Sequence, residues 1–362
     1  LAGGWKRVFQ VESDGTVAIS RSGGGQRRFE PDSRGGYFSQ TGDNSQLESL
    51  GGGGFALREA NGLVTCFRPD GKVEYVEETN GVRITAGYDG DQLTNLTHSS
   101  GRSLQIAYNA AGRIECITDP FGKTTLYSYD TTNEHLIAVR GPGGLTTHYT
   151  YSIGGGPAIE HALLSIVYPD GSHRYFTYDA HGRLESTSRD GGAEAISFSY
   201  DSAGTVAVTD AAGGTAKYLF DHRNLVGRIE CPLNHITNLA YDVEGNLAVV
   251  EDALGRTSCY AYDAAGNLTR ITDPLGQSSL LGYSGPFNRL SSATGARGNS
   301  TEYAYDDAGN LTSITRADNS VERFQYDSHG NADIWINCRG QTVHYTFNAD
   351  GQPQRKDFVN GS

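Results

Sequence analysis

The chain has 362 residues, enough for one large domain or two ordinary ones, and a formal net charge of −13 at pH 7. Its acidic balance, with no run of basic residues longer than Arg27 and Arg28, argues against nucleic acid as a partner. The composition includes 48 glycines, 21 tyrosines and 10 prolines, which favours short aromatic strands joined by tight turns and excludes collagen.

Targeting and redox signals are weak in this sequence. No apolar stretch approaches the roughly 20 residues that span a bilayer, and the opening LAGGWKRVFQ lacks the plan of a signal peptide. Any export signal is expected outside this sequence, and the absence of methionine indicates a section of a longer polypeptide. The scattered cysteines form no CxxC motif, so single thiols or one long-range disulfide remain as alternatives. They are Cys66, Cys116, Cys231, Cys259 and Cys338.

Residues 1–80 are predicted to form a β-rich N-terminal region that leads into a repeat array over residues 81–362. Asn61-Gly62, Asp70-Gly71 and Asn80-Gly81 each lie between alternating apolar residues, a pattern typical of hairpin turns. No segment shows a sustained helical period with caps, so the helix content is predicted to be small.

From residue 81 onward the chain repeats itself. An aromatic residue followed by Asp or Asn recurs mostly every 20 to 22 residues, and YAYDAAGNLTRITDPLGQ at 260–277 returns as YAYDDAGNLTSITRADNS at 303–320. The stretch IGGGPAIEHALLS, at 153–165, lengthens one interval. Internal similarity at this period indicates about a dozen copies of one supersecondary unit of ~21 residues.

Each unit is predicted to be one β-hairpin. A second aromatic residue two positions before the Asp places both on one face of a strand. Asp then accepts turn N–H groups, and Gly three positions later takes positive φ. The structural repeat residues so predicted are Tyr178, Asp179, Gly182, Tyr200, Asp201, Gly204, Tyr241, Asp242, Gly245, Tyr262, Asp263, Gly266, Tyr305, Asp306, Gly309, Tyr326, Asp327 and Gly330.

Two details of the hairpin follow from the spacing. Leu268 and Ile271 are three apart, so either a bulge intervenes or the second strand starts late. Equivalent tyrosines of stacked hairpins are expected to form aromatic ladders, with hydroxyls that reach water or a partner. A strip of such hairpins is also expected to leave a strand edge unpaired at one or both ends.

At YDAAGNLTRITDPLG the sequence resembles the YD repeat of the rearrangement-hotspot (Rhs) family, which also occurs in insecticidal toxin-complex proteins, bacterial wall-associated proteins and teneurins. The resemblance covers roughly Tyr88 to Gly351, and the segments GWKRVFQVESDGTVAISRSGGGQRRFEP, GGYF and FRPDGKV resemble the stretch that precedes the repeats in bacterial members. It implies an all-β fold in which tandem hairpins form a spiralling sheet, part of a hollow β-shell that often encloses a C-terminal toxin.

The resemblance carries no protease residue to this chain. Bacterial members close with a DPxGL-like segment that holds self-cleaving aspartates, whereas Asp119-Pro120 and Asp273-Pro274 match the internal turn of the repeat. The closing segment and the cargo are therefore expected to be absent from this sequence.

Two functions remain as hypotheses. The first is a non-catalytic scaffold, a section of a secreted shell that encapsulates or delivers a C-terminal toxin or effector domain. Its partners would be the rest of the shell and the cargo, in the same precursor or in a companion chain.

The second is an extracellular adhesion or carbohydrate-binding module at a cell surface, in which tyrosines, Trp5 and Trp335 stack on a glycan. No catalytic, cofactor-binding or metal-binding residues are predicted, because the sequence contains no GxSxG, HExxH or phosphate-loop pattern. The protein is therefore not expected to be an enzyme.

Overall fold

The computed structural model describes residues 8–20, 25–32, 35–40, 43, 45–285, 287–328, 330–348 and 352–359. The described chain is almost entirely antiparallel β-structure in two sheets, so the predicted all-β fold of tandem hairpins is confirmed. The first sheet has four strands, namely β1 (Val8–Val11), β2 (Val17–Ser20), β3 (Gln26–Pro31) and β4 (Tyr37–Ser39).

The second sheet takes all later strands in chain order. They are β5 (Gln46–Ser49), β6 (Phe55–Arg58), β7 (Val64–Phe67), β8 (Val73–Glu77), β9 (Arg83–Asp89), β10 (Gln92–His98), β11 (Ser103–Tyr108), β12 (Ile114–Thr118), β13 (Thr124–Tyr129), β14 (Leu136–Arg140), β15 (Thr146–Tyr151), β16 (Leu163–Val167), β17 (His173–Tyr178), β18 (Leu184–Arg189), β19 (Ile196–Tyr200), β20 (Val206–Thr209), β21 (Thr215–Phe220), β22 (Val226–Cys231), β23 (His235–Tyr241), β24 (Leu247–Glu251), β25 (Thr257–Tyr262), β26 (Leu268–Thr272), β27 (Ser278–Ser284), β28 (Arg289–Thr294), β29 (Ser300–Tyr305), β30 (Leu311–Thr315), β31 (Val321–Tyr326), β32 (Ala332–Ile336), β33 (Thr342–Phe347) and β34 (Pro353–Val359). Successive strands pair, as the short period predicts.

A β-bulge resolves the spacing of Leu268 and Ile271. In the β25–β26 pair Tyr262 faces Leu268 while Ala261 faces Arg270, so Thr269 is the extra residue on the second strand. The bulge shifts the alternation by one, which returns both apolar residues to one face. The bulge alternative is therefore correct, and the same shift occurs in the pairs β7–β8, β11–β12, β13–β14, β15–β16, β17–β18, β21–β22, β23–β24, β27–β28, β29–β30, β31–β32 and β33–β34.

The expected unpaired edge of the repeat array is absent from the described strands. Hydrogen-bonded neighbours run consecutively from β5 to β34, and β34 in turn neighbours β5. The expectation was therefore wrong. The physical reason for the pairing of β34 with β5 is that strand twist accumulates over many hairpins. An array of this length can therefore return to its own first strand. The sheet also continues across residue 80, since β8 pairs with β9.

The chain divides into two compact units. The first comprises Leu1–Asp89, Asn95–Ser103 and Cys259–Ser362, and it contains a conventional hydrophobic core. The buried cluster consists of Val17, Ile19, Phe29, Leu47, Phe55, Leu57, Phe67 and Val73. Edge-to-face packing tightens the cluster, because the Phe9 ring lies 4.7 Å from that of Phe55 and 5.9 Å from that of Phe67.

A buried ion-pair cluster lies in the same unit. The Arg27 side chain is only 9% exposed, and its guanidinium donates to Asp43 Oδ2 at 2.6 Å and to Glu59 Oε1 at 2.6 Å. Burial disfavours the charge of Asp43, but hydrogen bonds from Arg27 and Ser45 outweigh it and lower its pKa to about 2. The cluster joins chain segments that are far apart in sequence.

The second unit comprises Gly90–Thr94 and Leu104–Ser258 and lacks such a core. Its strands alternate between exposed and half-buried positions, as in β13 and β17. Among the described side chains of this unit, the buried ones are polar, namely His135, Ser152, Ser165 and Thr187. Apart from these four, the described side chains on both faces of the sheet are therefore at least partly exposed.

Two 3-10 helices are described, Asp190–Gly192 and Pro232–Asn234. No helix in the described part of the chain is long and apolar enough to cross a membrane. All five cysteines are free thiols in this structure, so the disulfide alternative is not realised.

Candidate functional site

The Asp and Gly of each repeat build one kind of turn. At the turn after β17, the Asp179 N–H donates to the Arg183 carbonyl at 2.9 Å, and the Gly182 N–H donates to the Asp179 carbonyl at 3.0 Å. Gly182 has φ of 79°, which closes the turn in a conformation that an L side chain resists. This is a type I turn followed by a left-handed residue, the usual three-residue hairpin connection.

The aspartate side chains bind the same turns. Asp179 Oδ1 accepts the backbone N–H groups of His181 at 2.8 Å and Arg183 at 3.0 Å. At the next turn, hydrogen bonds from Thr205 hold the pKa of Asp201 below its usual value. Carboxylates engaged in this way cap the turns. Asp201, Asp242, Asp263, Asp306 and Asp327 make equivalent bonds.

The glycines at these turns share the backbone conformation. Their φ angles lie between 75° and 91°. They are Gly182, Gly204, Gly245, Gly266, Gly309 and Gly330.

Ten tyrosines of the repeats connect neighbouring hairpins. The Tyr178 hydroxyl donates to the Leu163 carbonyl at 2.9 Å, and the Tyr305 hydroxyl donates to the Leu290 carbonyl at 2.8 Å. In each case the acceptor is in the first or second residue of the strand that precedes the tyrosine's own strand. The same bond is made by Tyr88, Tyr108, Tyr129, Tyr151, Tyr200, Tyr241, Tyr283 and Tyr326.

These bonds lie beside the bulges. Leu163 follows the turn of the β15–β16 hairpin, where the register shifts between Thr150 and Tyr151. Since a bulge interrupts the regular ladder, the tyrosine hydroxyl supplies a donor to a carbonyl next to the interruption. The β19–β20 pair has no shift, and the aromatic residue of the next unit is Phe220, which has no hydroxyl. Phe347 does not fit this correlation, because it has no hydroxyl although the preceding pair β31–β32 is bulged.

The aromatic positions differ from the ladder expected from the sequence. The repeat tyrosines are half-buried, and the hydroxyls above donate to backbone carbonyls. In the described chain, the close ring pairs lie in the first unit's core and around two histidines, His135 and His173. Trp335 Nε1 donates to Glu322 at 3.2 Å, and Trp5 lies outside the described residues.

The chain is similar to known proteins in both sequence and fold. Residues 69–211 match the family model described as the teneurin YD-shell. Residues 241–278, 283–321 and 305–332 match the model described as the RHS repeat. The chain belongs to the YD-repeat (Rhs) family. The resemblance seen in the sequence is thereby confirmed, and the family is one of structural shell scaffolds. A search of curated proteins found no match.

Three solved structures illustrate the fold of this YD-repeat protein. The crystal structure of TcdB2-TccC3 without hypervariable C-terminal region matches with a TM-score of 0.54 and 14% identity, over 94% of this chain and 23% of that one. The crystal structure of TcdB2-TccC3-Cdc42 gives a TM-score of 0.50 at 15% identity, over 94% and 19% of the two chains. A Photorhabdus luminescens Tc holotoxin pore gives the same TM-score, identity and coverage. The YD-repeat chain thus spans about a fifth of their length and shares their fold.

Proposed function

We propose that this YD-repeat protein is a non-catalytic section of a secreted or cell-surface shell that encloses a C-terminal toxin or effector domain. The observation that carries the proposal is the second unit. Its hairpins are held by backbone ladders, turn caps and tyrosine bonds, while no hydrophobic side chain among its described residues is fully buried. A sheet that is stable without a hydrophobic core on either face is suited to form a wall around a separate domain.

The proposed partners are the remaining shell and the cargo, in the same precursor or in a companion chain. The net charge of −13 favours solubility of a large exposed wall. The structural repeat residues would then stabilise the wall. Tyr and Asp side chains hydrogen-bond backbone groups at the bulges and turns, and Gly residues close the turns.

The adhesion hypothesis has weaker support. Glycan binding through aromatic stacking needs accessible ring faces, whereas the repeat tyrosines are half-buried and their hydroxyls donate to the backbone. Tyr175 is an exposed exception at 41%, but its ring stacks on His173 at 5.5 Å between centroids. The shell function is therefore the better supported of the two.

Limited proteolysis of the full-length precursor tests the proposal. The domain that follows the repeats should resist protease while the shell is intact and become sensitive when a repeat turn is disrupted, for example by Gly309→Val. A matched control is Ala308→Ser in the same turn, which adds only a hydroxyl at a half-buried position and should leave protection unchanged. A downstream domain that is cleaved equally fast with or without the intact wall would contradict enclosure. Specific, saturable binding to a glycan array by the chain alone would favour adhesion.

A further inference from the structure

Two departures from the repeat meet in the second unit. In the turn after β13, the Asp130 N–H donates to the carbonyl of His135, one residue further along than in the turn at Asp179, and Asn133 takes φ of 59°. The connection between β15 and β16, at 152–162, is the insertion that lengthens the repeat. The extra residue and the inserted loop bring a group of ligand-type side chains together.

His135 is the centre of this group and is 7% exposed. Its Nδ1 lies 2.6 Å from Asp130 Oδ2, and its Nε2 lies 2.8 Å from Nδ1 of His161 in the inserted loop. The Tyr151 ring packs at 4.8 Å from the imidazole and restricts its rotation. The carboxylate of Glu134, which is exposed, lies in the same group, and one potential ligand atom from each of Glu134, His135 and His161 falls within 4.8 Å of the others.

Asp130 determines which nitrogen of His135 is available. A carboxylate only accepts hydrogen bonds, so His135 Nδ1 carries the hydrogen and its Nε2 presents a lone pair toward His161. This carboxylate–imidazole pair is the arrangement that orients histidine ligands in metal sites.

The inserted loop holds His161 in position. His161 has φ of 65°, and its N–H donates to the Ser152 carbonyl at 3.0 Å. Glu160 closes the other side of the loop by accepting the N–H groups of Gly154 at 3.0 Å and Gly155 at 3.1 Å. A non-glycine residue at positive φ has a conformational cost, so the loop is built to keep His161 against His135.

We propose that His135 Nε2, His161 Nδ1 and the Glu134 carboxylate bind a divalent transition-metal ion such as zinc, with water at the fourth position. Two histidines and one carboxylate are a known zinc ligand set. Tetrahedral binding with Zn–N near 2.0–2.1 Å would separate the two nitrogens to about 3.3 Å, and the exposed His161 and Glu134 side chains can move by that amount. The ion would fasten the inserted loop to the β13–β14 turn.

Cobalt titration of the full chain tests the site. After dialysis against a chelator, Co²⁺ should give visible d–d absorption that saturates at one equivalent and disappears when Zn²⁺ is added. His161→Gln and Glu134→Gln should abolish the saturable signal, and Asp130→Asn should weaken binding by about 10- to 100-fold. His181→Gln is the matched control, because His181 is an exposed turn histidine beside Asp179. His135 is left unchanged because its burial puts folding at risk.

Hydrogen exchange provides an independent measurement. Zn²⁺ should slow amide exchange at His161 and Ala162 in the wild-type chain but not in His161→Gln. A folded chain with no cobalt absorption would overturn the proposal, and the group would then be a hydrogen-bonded Asp–His–His chain. Saturable binding that survives both His161→Gln and Glu134→Gln would equally overturn it, because the ion would lie elsewhere.

Discussion

Removing one tyrosine hydroxyl measures what the inter-hairpin bond contributes. Tyr178→Phe keeps the ring and deletes the donor to the Leu163 carbonyl, which lies at 2.9 Å. A net hydrogen bond contributes about 0.5–1.5 kcal/mol, whereas a fully buried orphan acceptor costs about 1–3 kcal/mol. Tyr178 is half-buried, so water can replace part of the bond. We therefore expect unfolding free energy to fall by about 1 kcal/mol.

Urea unfolding of the wild-type chain and the variant checks this value, with a lower midpoint at an unchanged slope. Tyr175→Phe is the matched control, because this exposed tyrosine lies on the same strand and its hydroxyl contacts Asp190 at 3.3 Å. Its effect should stay within about 0.5 kcal/mol, as for most surface substitutions. If Tyr178→Phe also stayed within that range, the hydroxyl bond would contribute nothing measurable and the reasoning would be refuted.

Three further predictions concern turns, an orphan hydroxyl and acid stability. Gly309→Val should lower the free energy of unfolding by about 1–3 kcal/mol because valine tolerates positive φ poorly. It should lower it further because the new Cβ would lie 2.6 Å from the Phe287 ring. Gly276→Val, where the Cβ meets nothing, should show the backbone cost alone. Equal thermal shifts would contradict the clash. Thr65→Val should be neutral or stabilising by urea unfolding, because the buried Thr65 hydroxyl has no hydrogen-bond partner among the described residues. The pKa of Asp43, about 2 against a usual 3.8, adds stability above pH 3.8 that is lost as pH falls toward 2. Asp43→Asn should flatten thermal stability across that window.

The hairpins could be predicted from sequence because their signals are local. Asp and Gly three positions apart define the turn at Asp263 and Gly266 within a few residues. The spacing of Leu268 and Ile271 left a bulge and a late strand start as alternatives, and cross-strand register was needed to choose the bulge. The acceptor of each tyrosine hydroxyl was missed, because it lies about 15 residues back on a neighbouring strand and depends on that register.

Long-range features could not be predicted from a local repeat. The pairing of β34 with β5 depends on the total twist over thirty strands, and the length of one repeat does not predict that total. His135 and His161 are 26 residues apart, and neither belongs to a recognised metal motif. The signals that could have found them were the extra residue after Asp130 and the insertion at 153–165, since both interrupt the repeat in adjacent hairpins.

The near-identical repeats at 260–277 and 303–320 follow from one structural requirement, which is that backbone groups need hydrogen-bond partners. A sheet without a hydrophobic core must still satisfy its backbone groups at every turn and bulge, because an unpaired group has a cost wherever water is excluded. Asp242 and Gly245 serve the turn, and the Tyr241 hydroxyl reaches the Val226 carbonyl of the previous hairpin at 3.0 Å. Strand positions between them face solvent or half-buried space and are free to vary. Backbone hydrogen bonding at the turns and beside the bulges therefore accounts for the recurrence of Tyr, Asp and Gly.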